Sequence, residues 1–198
     1  MLPIDLRALL EALSPTVCPL CLGPGHHQLG LCDVCMDLME MNTLACGYCA
    51  APGVESVCGQ CQQQKTRRHR TLAPFLYRGS AALLVKRCKF LGERQICRYL
   101  GQLMAKAIAQ QNHPDRPQAL VPVPLSRQRI LERGFNQATD LANGLSRQLS
   151  VPCLTNIAKR TKSTYAQSSL ATTLERRQNV ANAFRITTQT LSLIHISE

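Results

Sequence analysis

Eight of the eleven cysteines fall into four Cys-x-x-Cys pairs, Cys18/Cys21, Cys32/Cys35, Cys46/Cys49 and Cys58/Cys61, all within the first third of the chain. Two residues between thiolates is the spacing at which a tight turn aims both sulfurs at one ion. Four such pairs supply the ligands of two tetrahedral, all-cysteine Zn2+ sites. Sequential pairing would make two stacked zinc ribbons and interleaved pairing a cross-brace. The Gly/Pro-containing spacers Gly23 to Gly30 and Ala50 to Val57 suit ribbon loops and favour the sequential arrangement. A disulfide framework is the property of short secreted chains, yet Asp5, Arg7 and Glu11 interrupt the leucines of residues 1–13, so no signal-peptide core exists there. No later stretch is long enough to span a bilayer, and a cytoplasmic location is expected. Redox work by one pair is disfavoured because thioredoxin-like pairs come singly, near a βαβ pattern.

The 198 residues allow one medium domain, or a small one with an incomplete larger one. The formal charge of +11 counts cysteines as neutral thiols. Two tetrathiolate zinc centres, each with two net negative charges, bring it to about +7. That surplus points to polyanionic partners, either nucleic acid or a phosphorylated small molecule, although it also serves solubility. With no Trp, four Tyr and four Phe, the chain is poor in platforms for single-stranded bases.

Leu6, Leu9, Leu10 and Leu13 recur at helical spacing and predict a short helix that Pro15 stops. Gln62 to Arg70 contains no apolar residue and reads as a basic linker or strap. Beyond it the pattern is α/β. Leu72 to Tyr77 is a candidate strand and Ala81 to Phe90 a helix. Ile96, Cys97, Leu100, Leu103, Met104, Ala107 and Ile108 mark one face of a helix of about three to four turns, with Cys97 on its core side. Ala119 to Val123 predicts a strand, with Pro124 opening a loop. Ala138, Leu141, Ala142, Leu145 and Leu149 give the following helix, and strand-loop-helix is the unit of a parallel sheet. The intervening loop carries Arg127, Arg129 and Arg133. Gly134 to Gln137 are expected to open the helix, where free N–H groups and the helix dipole favour an anion. An exposed basic turn that merely caps the helix is the plainer alternative.

Ala119-Leu-Val-Pro-Val-Pro-Leu125, Arg133-Gly-Phe-Asn-Gln137, Arg160-Thr161, Gln167, Arg176-Arg177 and Asn179-Val-Ala-Asn-Ala-Phe184, behind a cysteine-pair module, resemble the ComF family. The resemblance implies an amino-terminal double zinc ribbon joined to a type I phosphoribosyltransferase domain, and a link to DNA uptake in competence or to use of DNA as a nutrient. It implies transfer of ribose 5-phosphate from phosphoribosyl pyrophosphate to a nitrogen nucleophile, with Mg2+ on the pyrophosphate. On that basis Pro124, Leu125 and Ser126 correspond to the pyrophosphate loop, supported by Arg127, Arg133, Gly134 and Asn136. Arg160, Gln167 and Arg177 are the catalytic candidates on a mobile loop or hood. Expected partners are phosphoribosyl pyrophosphate or pyrophosphate, with DNA or a competence helicase-like protein beyond them. The alternative is a non-catalytic DNA-handling adaptor in which the ribbons and basic surfaces bind and the α/β part is a scaffold.

After Phe184 the resemblance implies a strand ending in two acidic residues and a Thr-Thr-Gly turn for the 5-phosphate, and neither is present here. Leu191 to Glu198 instead resembles translated adapter DNA. The expected organisation is therefore a helix and double zinc ribbon over 1–61, a basic linker over 62–70, an incomplete phosphoribosyltransferase-like domain over 71–190 and a non-native tail over 191–198. A polypeptide of this kind is expected to be inactive as a transferase. Deleting Leu191 to Glu198 should leave the unfolding midpoint of the rest unchanged; a deletion that unfolds the α/β part would show the tail to be a structural strand.

Overall fold

The computed structural model describes residues 17–25, 30–63, 70–110 and 117–187. The expected helix at Leu6 to Leu13, most of the 62–70 linker and the 191–198 tail lie outside the described residues. The elements are α1 (Asp33–Asp37), α2 (Gly59–Gln63), α3 (Gly79–Phe90), α4 (Arg94–Gln110), α5 (Arg127–Arg133), α6 (Gln137–Leu149), β1 (Ala158–Arg160), a 3-10 turn (Gln167–Ser169), α7 (Thr173–Val180) and β2 (Phe184–Ile186). Contacts group them into two compact units, Met1–Arg87 with Gln102–His113 and Cys88–Gly101 with Pro114–Glu198. No helix among the described residues is long and apolar enough to cross a membrane.

The first unit contains the same local device twice. Val17 pairs antiparallel with Pro24, and Ala45 with Pro52, each closing a tight hairpin around a Cys-x-x-Cys turn. In both, the residue after the second cysteine takes a left-handed conformation, Leu22 at φ 63° and Ala50 at φ 58°. Each hairpin is tied across its base, Cys18 N–H donating to Gly23 O at 2.8 Å and Cys46 N–H to Ala51 O at 2.9 Å. The candidate strand Leu72 to Tyr77 is an extended segment with one bridge, Met41 to Phe75. Buried Asn42 fixes that segment, its Nδ2 donating to Ala50 O at 3.0 Å and Ala73 O at 3.1 Å. One amide thus satisfies two carbonyls that would otherwise be left without donors.

In the second unit, α6 leads back to a parallel bridge between Leu120 and Cys153, so the strand-helix-strand unit forms. The expected strand over 119–123 reduces to this rung. Leu120 N–H donates to Pro152 O and Leu154 N–H to Leu120 O, both at 2.8 Å. Continuing a parallel ladder would require the N–H of residue 122 on one side and of residue 152 on the other, and both are prolines. Further on, β1 and β2 pair antiparallel, Ala158 opposite Ile186 and Arg160 opposite Phe184.

The helix predicted from the 96–108 periodicity is longer than expected, 17 residues, and buries Ile96, Cys97, Leu100, Leu103 and Ala107 as its face requires. Cys97 is core, and its sulfur is also bonded to Cys88, a link the sequence reading did not anticipate. Where α4 meets α6 the backbones touch. A Cβ on Gly101 would lie 2.1 Å from Leu141 O, and one on Gly144 would lie 2.1 Å from Arg98 O. Beside this crossing Asp140, 1% exposed, accepts from Arg94 Nε at 2.8 Å, Arg94 Nη2 at 3.2 Å and Arg98 Nε at 3.2 Å. A buried carboxylate held by two guanidiniums is compensated, and removing either partner would leave it costly.

Gly144→Ala should destabilise the second unit by about 3 kcal/mol, the upper end for overpacking, because backbone cannot yield as a side chain would. Gly134, at φ +76° with open space around it, should cost only about 1 kcal/mol as alanine, from strain alone. Urea unfolding of the two variants measures the difference, and equal losses would contradict the close crossing.

Candidate metal centres and anion groove

The four pairs assemble sequentially. Cys18, Cys21, Cys32 and Cys35 form one cluster and Cys46, Cys49, Cys58 and Cys61 the other, with all sulfurs of a cluster within 4.8 Å of one another. The first pair of each lies in the hairpin turn. The second pair straddles a helix start, Cys32 preceding α1 and Cys58 preceding α2, so that a helical turn brings Cys35 and Cys61 to the same side. Zn–S bonds of about 2.3 Å in a tetrahedron put sulfurs about 3.8 Å apart. The cross-pair separations fit, Cys21 Sγ to Cys32 Sγ at 3.5 Å and Cys49 Sγ to Cys58 Sγ at 3.7 Å. Both donor sets fit structural zinc, held by four thiolates with no open position.

The thiols divide in a way that follows from their surroundings. Burial pushes Cys18 up, but N–H groups of Cys32, Cys21 and Leu20 outweigh it and bring the thiol down to about 6. N–H groups of Cys58 and Cys49 likewise bring Cys46 down to about 6. Cys58 N–H lies 3.3 Å from the Cys46 sulfur. The last thiols to ionise face neighbours already holding charge. Burial and then Cys32 and Cys18 push Cys35 up to about 12, and Cys58, then burial, push Cys61 up to about 12. A bound dication reverses that repulsion.

The arginine-bearing loop differs from its expectation. Residues Arg127–Arg133 form α5 rather than a turn, N-capped by Ser126, whose Oγ accepts from Arg129 N–H at 3.3 Å. Gly134 closes α5 in the left-handed conformation, so the next helix opens at Gln137 and not at Gly134. Asn136 caps it, Oδ1 accepting from Ala138 N–H at 3.1 Å while Nδ2 donates to Val123 O at 3.0 Å. An N–H expected to await an anion is therefore occupied by the chain's own side chain. Arg133 reaches Gln137 Oε1 at 3.2 Å, whereas the Gln137 Nε2 atom is buried without a partner. Arg94 lies 5.5 Å over the Phe135 ring, securing the middle of this turn.

Arg160 closes β1 and Gln167 opens the 3-10 turn. Arg160 donates to Lys162 O and Thr164 Oγ1 and lies over the Phe184 ring, whereas Gln167 Nε2 donates to Arg176 O at 3.3 Å. Arg177 lies on α7. A groove of ≈ 890 Å³ opens nearby, lined by Ser126 and Arg129 together with Lys162, Thr164, Tyr165 and Asn179. Of the residues singled out from sequence, Ser126, Arg129 and, at the start of its family string, Asn179 are in that lining. Lys162 and Thr164 were not singled out. Tyr165 carried no signal, and nothing local indicates that it meets Asn179.

The chain is 35% identical over 175 residues to Competence protein F of Haemophilus influenzae, a match covering 85% of this chain and 76% of that protein. The chain belongs to the ComF family. It is also 31% identical over 180 residues to the DNA utilization protein YhgH of Escherichia coli, covering 87% of this chain and 78% of the relative. Competence protein ComFC of Bacillus subtilis matches at 30% over 132 residues, 63% of this chain and 55% of that one. No family model matches the chain, and no solved structure does. The ComF relatives' matches, at 85–87% of the chain, cannot be accounted for by the cysteine module alone.

Two zinc ions per chain should be measured at neutral pH, and Cys35→Ser should remove one of them while Cys153→Ser removes none. The thiols of Cys18 and Cys46 lie below their ordinary 9.0. Their contribution to the metal-free fold is fully present above that value and lost as pH falls through about 6. Cys35 and Cys61 must release protons to bind metal, so zinc affinity rises with pH and release should steepen below about 6. A chelator-indicator titration across that range reads it, and metal retained in strong acid would contradict the assignment.

Proposed function

We propose that this ComF-family protein acts in competence or in the use of DNA, and that its second unit binds a pyrophosphate-bearing ribosyl substrate in the ≈ 890 Å³ groove. The observation that carries the substrate reading is the meeting of two segments far apart in sequence. Ser126 ends the stretch likened to the pyrophosphate loop and Arg129 follows it, while Lys162 to Glu175 lie in the stretch from Arg160 to Arg177 likened to the hood and Asn179 just beyond it. The relatives' names, for competence and for DNA utilization, support the biological half.

In this reading the groove supplies cations and donors to the pyrophosphate of a bound ligand. Arg129 is partly spent on Glu132 at 2.8 Å, which aims its guanidinium but reduces its free charge. Lys162 forms no ion pair among the described residues and is the more available cation. Arg160 holds Thr164, a lining residue, and Gln167 holds α7, on which Arg177 lies. Mg2+ bound to the substrate would neutralise pyrophosphate charge. The one carboxylate in the lining, Glu175, is engaged in the capping box of α7, so no protein ligand is assigned to the ion.

Calorimetric titration with pyrophosphate, with and without Mg2+, tests the groove. Binding should weaken about three- to tenfold in Lys162→Ala and Arg129→Ala and fall as salt rises, as expected for exposed charge contacts. Arg67→Ala, in the linker, should have no effect. Binding that ignores both groove substitutions would overturn the site. The biological half is tested by expression in Escherichia coli lacking YhgH, where restored use of DNA as a nutrient supports it and absence of rescue counts against it.

A further inference from the structure

The groove contains one feature that a pyrophosphate site does not require. Tyr165 is 78% exposed, yet its backbone is held on both sides by one side chain. Asn179 Oδ1 accepts from Tyr165 N–H at 3.1 Å, and Asn179 Nδ2 donates to Tyr165 O at 3.0 Å. A carboxamide used in this way replaces a strand partner and fixes the Cα–Cβ direction of the residue it holds. The stretch around it is braced as well. Arg176 Nε and Nη2 both donate to Leu170 O, at 3.1 and 3.0 Å, and Ser169 Oγ donates to Ala166 O at 2.7 Å. Thr172 and Glu175 then cap α7 reciprocally, so Asn179 projects from a helix whose start is fixed. A phenol with no need of burial is thus oriented by a network of backbone contacts.

Resting on the reading of the groove given above, we propose that Tyr165 is a stacking platform for a planar heteroaromatic ring, and that the groove takes a nucleoside 5′-phosphate. The ring would lie against Tyr165 and the phosphate against Lys162, Thr164 and Ser126. An aromatic side chain, an ammonium with no ion pair among the described residues and two hydroxyls in one groove match a ligand that is flat and apolar at one end and anionic at the other. Pyrophosphate uses only the cationic part of this wall. An inert aromatic would gain more by packing against the core, since exposing a tyrosine forfeits its apolar burial. Stacking recovers part of that loss, and alanine substitution at stacked bases elsewhere gives effects of about tenfold or more in affinity.

The test compares adenosine 5′-monophosphate, ribose 5-phosphate and pyrophosphate by calorimetry on the full chain. Adenosine 5′-monophosphate should bind about tenfold more tightly than ribose 5-phosphate. Tyr165→Ala should abolish that advantage while leaving ribose 5-phosphate and pyrophosphate unchanged, and Tyr165→Phe should preserve it. Lys162→Ala should weaken all three ligands. Because Tyr165 is exposed and its tether is to backbone atoms, circular dichroism of both variants should match the parent. If ribose 5-phosphate and pyrophosphate bind but the base adds nothing, or if Tyr165→Ala leaves the advantage intact, the platform is wrong and the anion groove stands. If the base advantage is lost with Tyr165→Ala while pyrophosphate fails to bind, the platform stands and the pyrophosphate reading falls. Failure of all three ligands overturns both.

Discussion

Four thiols within 4.8 Å cannot all carry charge without a cation among them, and the first unit is organised around that constraint twice over. The pulling down of one thiol per cluster and the pushing up of another to about 12 express the same repulsion from opposite ends. Metal removes the conflict, and the left-handed residues Leu22 and Ala50 show what the chain tolerates to present its sulfurs. Glycine would adopt that conformation more easily, so metal coordination must outweigh a backbone cost of about 1–2 kcal/mol at each hairpin. Asn42 carries the constraint outwards by tying the second hairpin, through Ala50, to the chain at Ala73.

The second unit depends on proximity of a different kind. Gly101 and Gly144 let two helix backbones approach to where no side chain fits, and Asp140 uses the resulting closeness to hold Arg94 and Arg98. Arg94 extends the connection to Phe135 and so to the turn between α5 and α6. The turn that carries the family's most recognisable string is therefore set by contacts with α4, about forty residues earlier in sequence. Loss of Asp140 would disturb that turn while removing no residue from it.

The legible parts of the sequence were those with local chemistry. Cysteine spacing gave both clusters and, through the Gly/Pro spacers, their sequential pairing. Periodicity gave α4 and α6 with their buried faces. The helix at Arg127–Arg133 was not legible, because its arginines, followed directly by Gly134, read equally as a loop; it takes Ser126 as its cap to stabilise it. Asn136 was named as support for the pyrophosphate loop, and its place before Gln137 also makes it a helix cap, with Oδ1 accepting from Ala138 N–H and Nδ2 donating to Val123 O. The groove was illegible for a simpler reason. Tyr165 and Asn179 become partners only when α7 folds back alongside the chain before it, and no window of sequence contains that event.

The prolines at 122 and 152 confine the Leu120–Cys153 pairing to a single rung. A seam of several hydrogen bonds resists rotation, but one rung acts as a pivot. Beyond it, the segment leading to Ser126 is tethered again at Val123 O, by the amide of Asn136. The stretch is therefore held at two points instead of along a seam. Ser126 follows three residues after the second of them, in the lining of the groove, so its place there rests on side-chain tethers and a helix cap and not on a sheet.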